Sequence, residues 1–166
     1  MYRTIADFLE AWDYESKATL KLFNQLTDTS LDQRVTVDGR SLGDLAWHIT
    51  ATPGEMLAQA GLSLSAPEDN GAHPARAAEI ADAYQAVARS VAEQVPSLWS
   101  DASLAEEVEM YGERWTRGKV LSALLFHQTH HRGQMTVLMR QAGLKVPGVY
   151  GPSREEWAGL GLPAVT

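Results

Sequence analysis

Four of the five histidines of this chain fall in two segments with helical periodicity. His48 lies in one, His127, His130 and His131 lie in the other, and His73 sits in a loop between them. Imidazole ligates metals and moves protons near neutral pH, so where these rings point bears directly on chemistry. On a helix advancing about 100° per residue, His127 and His131 are only about 40° apart. They share that stripe with Val120, Leu124 and Leu138, next to Gln134, and so face the interior of any bundle the helix joins. Two imidazoles at i and i+4 on one face can converge on one cation. Burying both without a shared partner is costly, because each ring carries polar nitrogens. A divalent ion removes that cost by accepting both lone pairs at about 2.0–2.1 Å. Core histidines bonded to carbonyls are the alternative for the same spacing.

His48 weighs between the two. Its helix face also carries Asp44, Leu45, Thr52, Glu55 and Gln59, whereas Ala46, Trp47, Ile49 and Leu57 occupy other faces. A stripe this polar either meets solvent or lines an internal site, and two inward histidines on another helix favour the internal site. Three histidines leave a coordination position open to water or substrate, as in catalytic rather than structural metal sites. Glu55, about two turns from His48, is the candidate general base or ligand-orienting carboxylate, with an ordinary surface charge as its alternative. Gln134 is placed to orient a ligand or to bridge helices. His130 diverges from His131 by about 100° and is not a candidate ligand. Arg132 falls on the opposite side of the wheel with Thr129, Thr136 and Arg140, where a surface ion pair is the default reading.

Four amphipathic segments must position these residues. The first runs from about Thr4 to Thr27, with Ile5, Phe8, Leu9, Trp12, Leu20 and Phe23 at three- and four-residue steps. The second starts at Ser41, a natural N-cap with Asp44 as the acidic half of a capping box, and ends near Gly61. Pro53 inside it predicts a kink. The third runs from about Ala75 to Gln94 and is closed by Pro96. Leu104 to Thr116 reads as an irregular or hairpin-like connection with Tyr111-Gly112 as its turn. The fourth runs from about Thr116 to Ala142 and stops at Gly143. A short helical turn near Ser153–Ala158 follows in a Pro- and Gly-rich tail, whose Tyr150, Ser153 and Trp157 either cover the open end of the bundle or pack onto the helices. The pattern predicts an all-α four-helix bundle with long, crossing connections, as one domain over residues 1–166.

Composition narrows the function classes. The chain has 166 residues, 45% of them hydrophobic, enough for a core of its own. It has no cysteine, which excludes disulfide scaffolds, zinc–thiolate sites, iron–sulfur clusters and thiol nucleophiles. Fourteen Lys and Arg against 21 Asp and Glu give a net charge of −7, so no nucleic-acid partner is expected. The N-terminus lacks the pattern of a signal peptide, and no run approaches the ~18 apolar residues of a membrane span. A cytoplasmic protein with no membrane partner is the expectation.

The segments FHQTHHRGQMTVLMRQAG, LGDLAWHIT and PGVYGPSREEW together resemble the DinB-like superfamily of metal-dependent enzymes. The resemblance extends over nearly the whole chain, and HQTHHRGQ is its most specific part. It implies a four-helix bundle holding one divalent metal ion (nickel, zinc, iron or manganese) on three histidines, which map onto His48, His127 and His131. It also implies a homodimer, and a chemistry like that of relatives that are S-transferases or isomerases using low-molecular-weight thiols. The functional expectation is a mononuclear metal-dependent enzyme acting on a small molecule, as a thiol-dependent S-transferase or a hydrolase. A non-catalytic metal- or ligand-binding bundle is the alternative. Pro53, little more than one turn after His48, departs from the family pattern and puts any role of Glu55 and Gln59 by analogy in question.

Overall fold

The computed structural model describes residues 1–161 and 163. Its four long helices are α1 (Ile5–Phe23), α2 (Leu42–Gln59), α3 (Ala77–Leu98) and α4 (Arg117–Gln141). Each start follows from a local device. Thr4 accepts the Asp7 N–H at the head of α1 (3.1 Å), and Thr116 accepts the Lys119 N–H at the head of α4 (3.2 Å). Ser41 and Asp44 form the reciprocal capping box expected for α2, with the Asp44 N–H on the Ser41 hydroxyl and the Ser41 N–H on the Asp44 carboxylate. Such caps contribute about 1 kcal/mol each. The α3 start is capped from a distance, since Asp28 in the α1–α2 connection accepts the Ala77 N–H (2.8 Å).

The helix ends are equally local. α2 and α4 both close in a Schellman turn, with Gly61 and Gly143 at φ of 85° and 75°, and with Leu62 and Leu144 bonded back to the Leu57 and Met139 carbonyls. α2 continues unbroken across Pro53. α3 overruns the expected stop at Pro96 and reaches Leu98. The proline removes only the bond to the Ala92 carbonyl, and the Trp99 N–H still reaches Val95 (2.9 Å) to finish the turn.

Between α3 and α4 lies a two-stranded antiparallel hairpin, β1 (Glu107–Met110) and β2 (Glu113–Thr116), paired Met110 to Glu113 and Glu107 to Thr116. Tyr111 and Gly112 turn it with both φ positive, at 53° and 81°, the combination that a two-residue I′ hairpin requires. β1 lies against α2 and β2 against α4. A single 3-10 turn over Trp157–Leu160 stands for the helical turn expected in the tail.

Around the bundle the helices neighbour one another in the order α1, α3, α2, α4. Consecutive helices α1 and α2 are therefore diagonal, as are α3 and α4, and both connections cross the bundle. Phe8, Trp12, Leu22, Phe23, Ile49, Leu57, Ile80, Tyr84, Val91, Leu121 and Leu124 form the shared core. The two largest carry polar handles that find partners. The Trp12 indole donates to the Ala88 carbonyl (3.0 Å), and the Tyr84 hydroxyl donates to Gln128 (2.5 Å). No helix among the described residues is long and apolar enough to cross a membrane.

Candidate metal centre

α2 and α4 pack side by side, which brings His48 against His127 and His131. The polar stripe of α2 thus lines the interior at the level of His48. The loop 62–74 then folds back over α2. It comes close because Gly43 and Gly54 carry no side chain, since a Cβ at Gly43 would lie 2.5 Å from the His73 ring and one at Gly54 2.5 Å from the Ala66 Cβ. That approach sets Asp69 on His48, with the Nδ1–H donating to the carboxylate at 2.7 Å. On α4, the His131 Nδ1–H donates to the Gln134 side-chain carbonyl, also at 2.7 Å.

Each of these two bonds fixes a tautomer and turns the bare Nε2 lone pair inward. The Nε2 of His127 lies between them, 3.1 Å from that of His48 and 3.1 Å from that of His131. All three donor atoms fall within 4.8 Å of one another. Hydrogen bonds alone do not satisfy this arrangement. A single proton on the His127 Nε2 serves one neighbouring lone pair and leaves the other facing nitrogen, while the buried His127 Nδ1 has no partner among the described residues. Nitrogens bound at about 2.0–2.1 Å to a tetrahedral or octahedral first-row divalent ion are spaced about 2.9–3.4 Å, the range that holds both 3.1 Å spacings about the His127 Nε2.

Electrostatics keep the rings ready as ligands. Burial, then the neighbouring His131, His48 and His130 and the Arg40 charge, push His127 down to about 4. Burial also lowers His131, against the opposing pull of its bond to Gln134. Neutral imidazole is the ligating form.

The sequence model of the DinB family matches residues 1–164. This chain belongs to the DinB family. It is similar to the uncharacterised protein YrdA of Bacillus subtilis (strain 168), with 44% identity over 164 residues, 99% of this chain and 98% of the relative. The crystal structure of a DinB-like protein from Bacillus cereus ATCC 10987 superposes with a TM-score of 0.87 at 42% identity, over 90% of this chain and all of that one. The DinB-like protein YjoA of Bacillus subtilis has a TM-score of 0.65 at 14% identity, over 89% of this chain and 99% of its own, and shares the fold.

In this DinB bundle the remaining site candidates separate clearly. Glu55 is exposed and lies outside the three-histidine group. Its carboxylate accepts from the Tyr111 hydroxyl (3.1 Å) and from Gln59 (3.3 Å). Burial and the Glu55 charge push the Tyr111 phenol up to about 12. The carboxylate that touches the cluster is Asp69, which sequence reasoning missed because a loop residue has no helical spacing to betray it. Gln134 orients His131 as one of its two readings proposed. His130 is exposed and takes a bond from the Gln134 amide (3.2 Å).

Arg132 corrects the helical wheel outright. It is 3% exposed, because α4 buries a second face against α1. There its guanidinium pairs with the Glu15 carboxylate, donates to the Glu15 carbonyl (2.8 Å) and Thr19 (3.3 Å), and meets the Tyr150 hydroxyl (2.6 Å). Tyr150 in turn donates to Glu15 (2.8 Å), so the tail is strapped onto α1 and α4.

Proposed function

We propose that this DinB-family protein is a mononuclear metal-dependent enzyme whose ion is held by His48, His127 and His131. The observation that carries this reading is a convergence of three imidazole donors, with no fourth His, Cys, Asp or Glu completing the group among the described residues. A structural zinc site closes its sphere with protein ligands, whereas a catalytic one keeps a position free. Nickel, zinc, iron and manganese all suit an all-imidazole set. When bound, such an ion supplies Lewis acidity, which makes a water or a thiol nucleophilic near neutral pH.

The chain's own residues prepare that chemistry. Asp69 holds the Nδ1 proton of His48, and Gln134 holds that of His131, so both rings keep their orientation and donor strength. Three neutral ligands leave the site cationic, which favours an anionic nucleophile such as a thiolate or hydroxide. The reaction classes that fit are S-transfer from a low-molecular-weight thiol and hydrolysis, on a small molecule. A non-catalytic metal-binding bundle is the competing reading, and the number of protein donors argues against it.

Metal content tests the assignment. The protein, purified without a histidine tag and grown metal-replete, should hold about one equivalent by mass spectrometry, and His127→Ala should lose it. Sub-stoichiometric metal in the wild type, or full retention in the variant, overturns the reading. A panel of small thiols with an electrophile then separates transfer from hydrolysis.

A further inference from the structure

A groove of about 420 Å³ opens beside the cluster, lined by Val35, Arg40, Leu45, Val137 and Leu138 together with the two polar groups His131 and Gln134. Among the described residues no carboxylate lines it. Its volume lies within the usual range for small-molecule sites, about 300–1,000 Å³. Val35 and Val137 are exposed, while Leu45 and Leu138 form the buried floor.

Among the described residues Arg40 is the only fixed charge in this lining. It is exposed, and among the described residues its guanidinium has no carboxylate within 4.0 Å and no hydrogen bond. Its neighbour Arg34 is spoken for, since it donates to the Gly39 carbonyl (2.8 Å) and pairs with Asp44 (3.4 Å). Arg40 also borders a second recess with Asp44 and Asp69, but with no carboxylate within 4.0 Å its guanidinium at the rim of the apolar groove remains available to an anion. Its fork geometry matches a carboxylate.

We infer that the groove binds the substrate of this centre, and that the substrate carries an apolar body and a carboxylate that Arg40 holds. The inference rests on the reading of the cluster as a metal-dependent active centre. It adds the class of molecule admitted and names Arg40 as the residue that selects it. The apolar part lies on Leu45, Leu138 and the two exposed valines, and its other end reaches the ring edge of His131.

The test compares 4-phenylbutyrate with 4-phenylbutyramide, which share a body and differ in charge. Binding is followed by NMR titration in metal-free and in zinc-loaded protein. An exposed guanidinium–carboxylate pair predicts a preference for the acid of roughly fivefold in both forms. Arg40→Gln should abolish that preference without changing amide binding, and Arg40→Lys should keep part of it. Equal binding of acid and amide, a preference that survives Arg40→Gln, or no saturable binding of either probe overturns the proposal. A preference seen only with zinc also overturns it, because the ion would then be reading the carboxylate. Failure of the protein to retain metal would sink the catalytic reading while leaving the metal-free titration intact, so the two failures are distinguishable.

Discussion

Replacing Asp69 by Asn tests how the loop 62–74 serves the centre. The bond from His48 Nδ1 to Asp69 is 2.7 Å long, with the His48 side chain 16% exposed and that of Asp69 34% exposed. A charge-assisted hydrogen bond is worth about 1.5–3 kcal/mol when well shielded. The exposure of the carboxylate reduces that to about 1–2 kcal/mol. On the proposed metal reading, in which the carboxylate supports the ring as a donor, the loss should appear as metal affinity weakened by about fivefold to thirtyfold. Competition for zinc against a chromophoric chelator measures it, and thermal unfolding of the metal-free protein checks that the fold is unchanged. Glu55→Gln is the matched control, with the same loss of one negative charge on the same side of the bundle. It should leave affinity within about twofold, the scale of an exposed charge. Equal effects of the two substitutions would refute the role given to Asp69 and leave only a general field of acidic residues.

The buried face of α4 carries another consequence. Arg132→Ala leaves the Glu15 carboxylate without its charged partner, with only the Tyr150 hydroxyl remaining on it, in a site where Arg132 is only 3% exposed, and should cost about 3 kcal/mol in urea unfolding. A loss below about 1 kcal/mol would show the pair to be as weak as a surface bridge. Acid should weaken the metal-free protein through the cluster. His127 is held at about 4 in the fold against an ordinary 6.5, and His131 is lowered in the same sense. The unfolded chain therefore binds protons that the folded one refuses, so stability is complete above about pH 6.5 and falls as pH drops toward 4. For the partly exposed His127 ring this amounts to on the order of 1–2 kcal/mol after discounting for solvent. Urea midpoints of chelated protein across that window check it, and a His127→Gln variant should flatten the slope.

Most of the scaffold was legible because its signals are local. Ser41 was readable as the cap of α2, Thr4 and Thr116 fall at the expected starts of α1 and α4 and cap them, and Gly61 and Gly143 end α2 and α4 by adopting a φ that other residues avoid. The approach of His48 to His127 and His131 was legible too, since an inward pair and a polar stripe needed each other. Arg132 and Asp69 were not. A wheel assigns one face to the core, and α4 has two, so the residues on its second face read as solvent-facing until α1 is seen against them.

Asp69 shows the deeper limit. Its place at His48 depends on two missing side chains, at Gly43 and Gly54, that let a loop without periodicity lie flush on a helix. Neither glycine is near Asp69 in sequence, and neither carries any chemistry of its own. In this fold the three histidines come from the regular elements, whose spacing is set by helical geometry, while their orientation comes partly from a loop whose position is set by what those elements leave out. The donors can therefore be inferred from pattern, but the groups that tune them have to be found by contact. The same division holds at Arg40, which no periodicity marks and which matters only because the groove beside His131 ends at it.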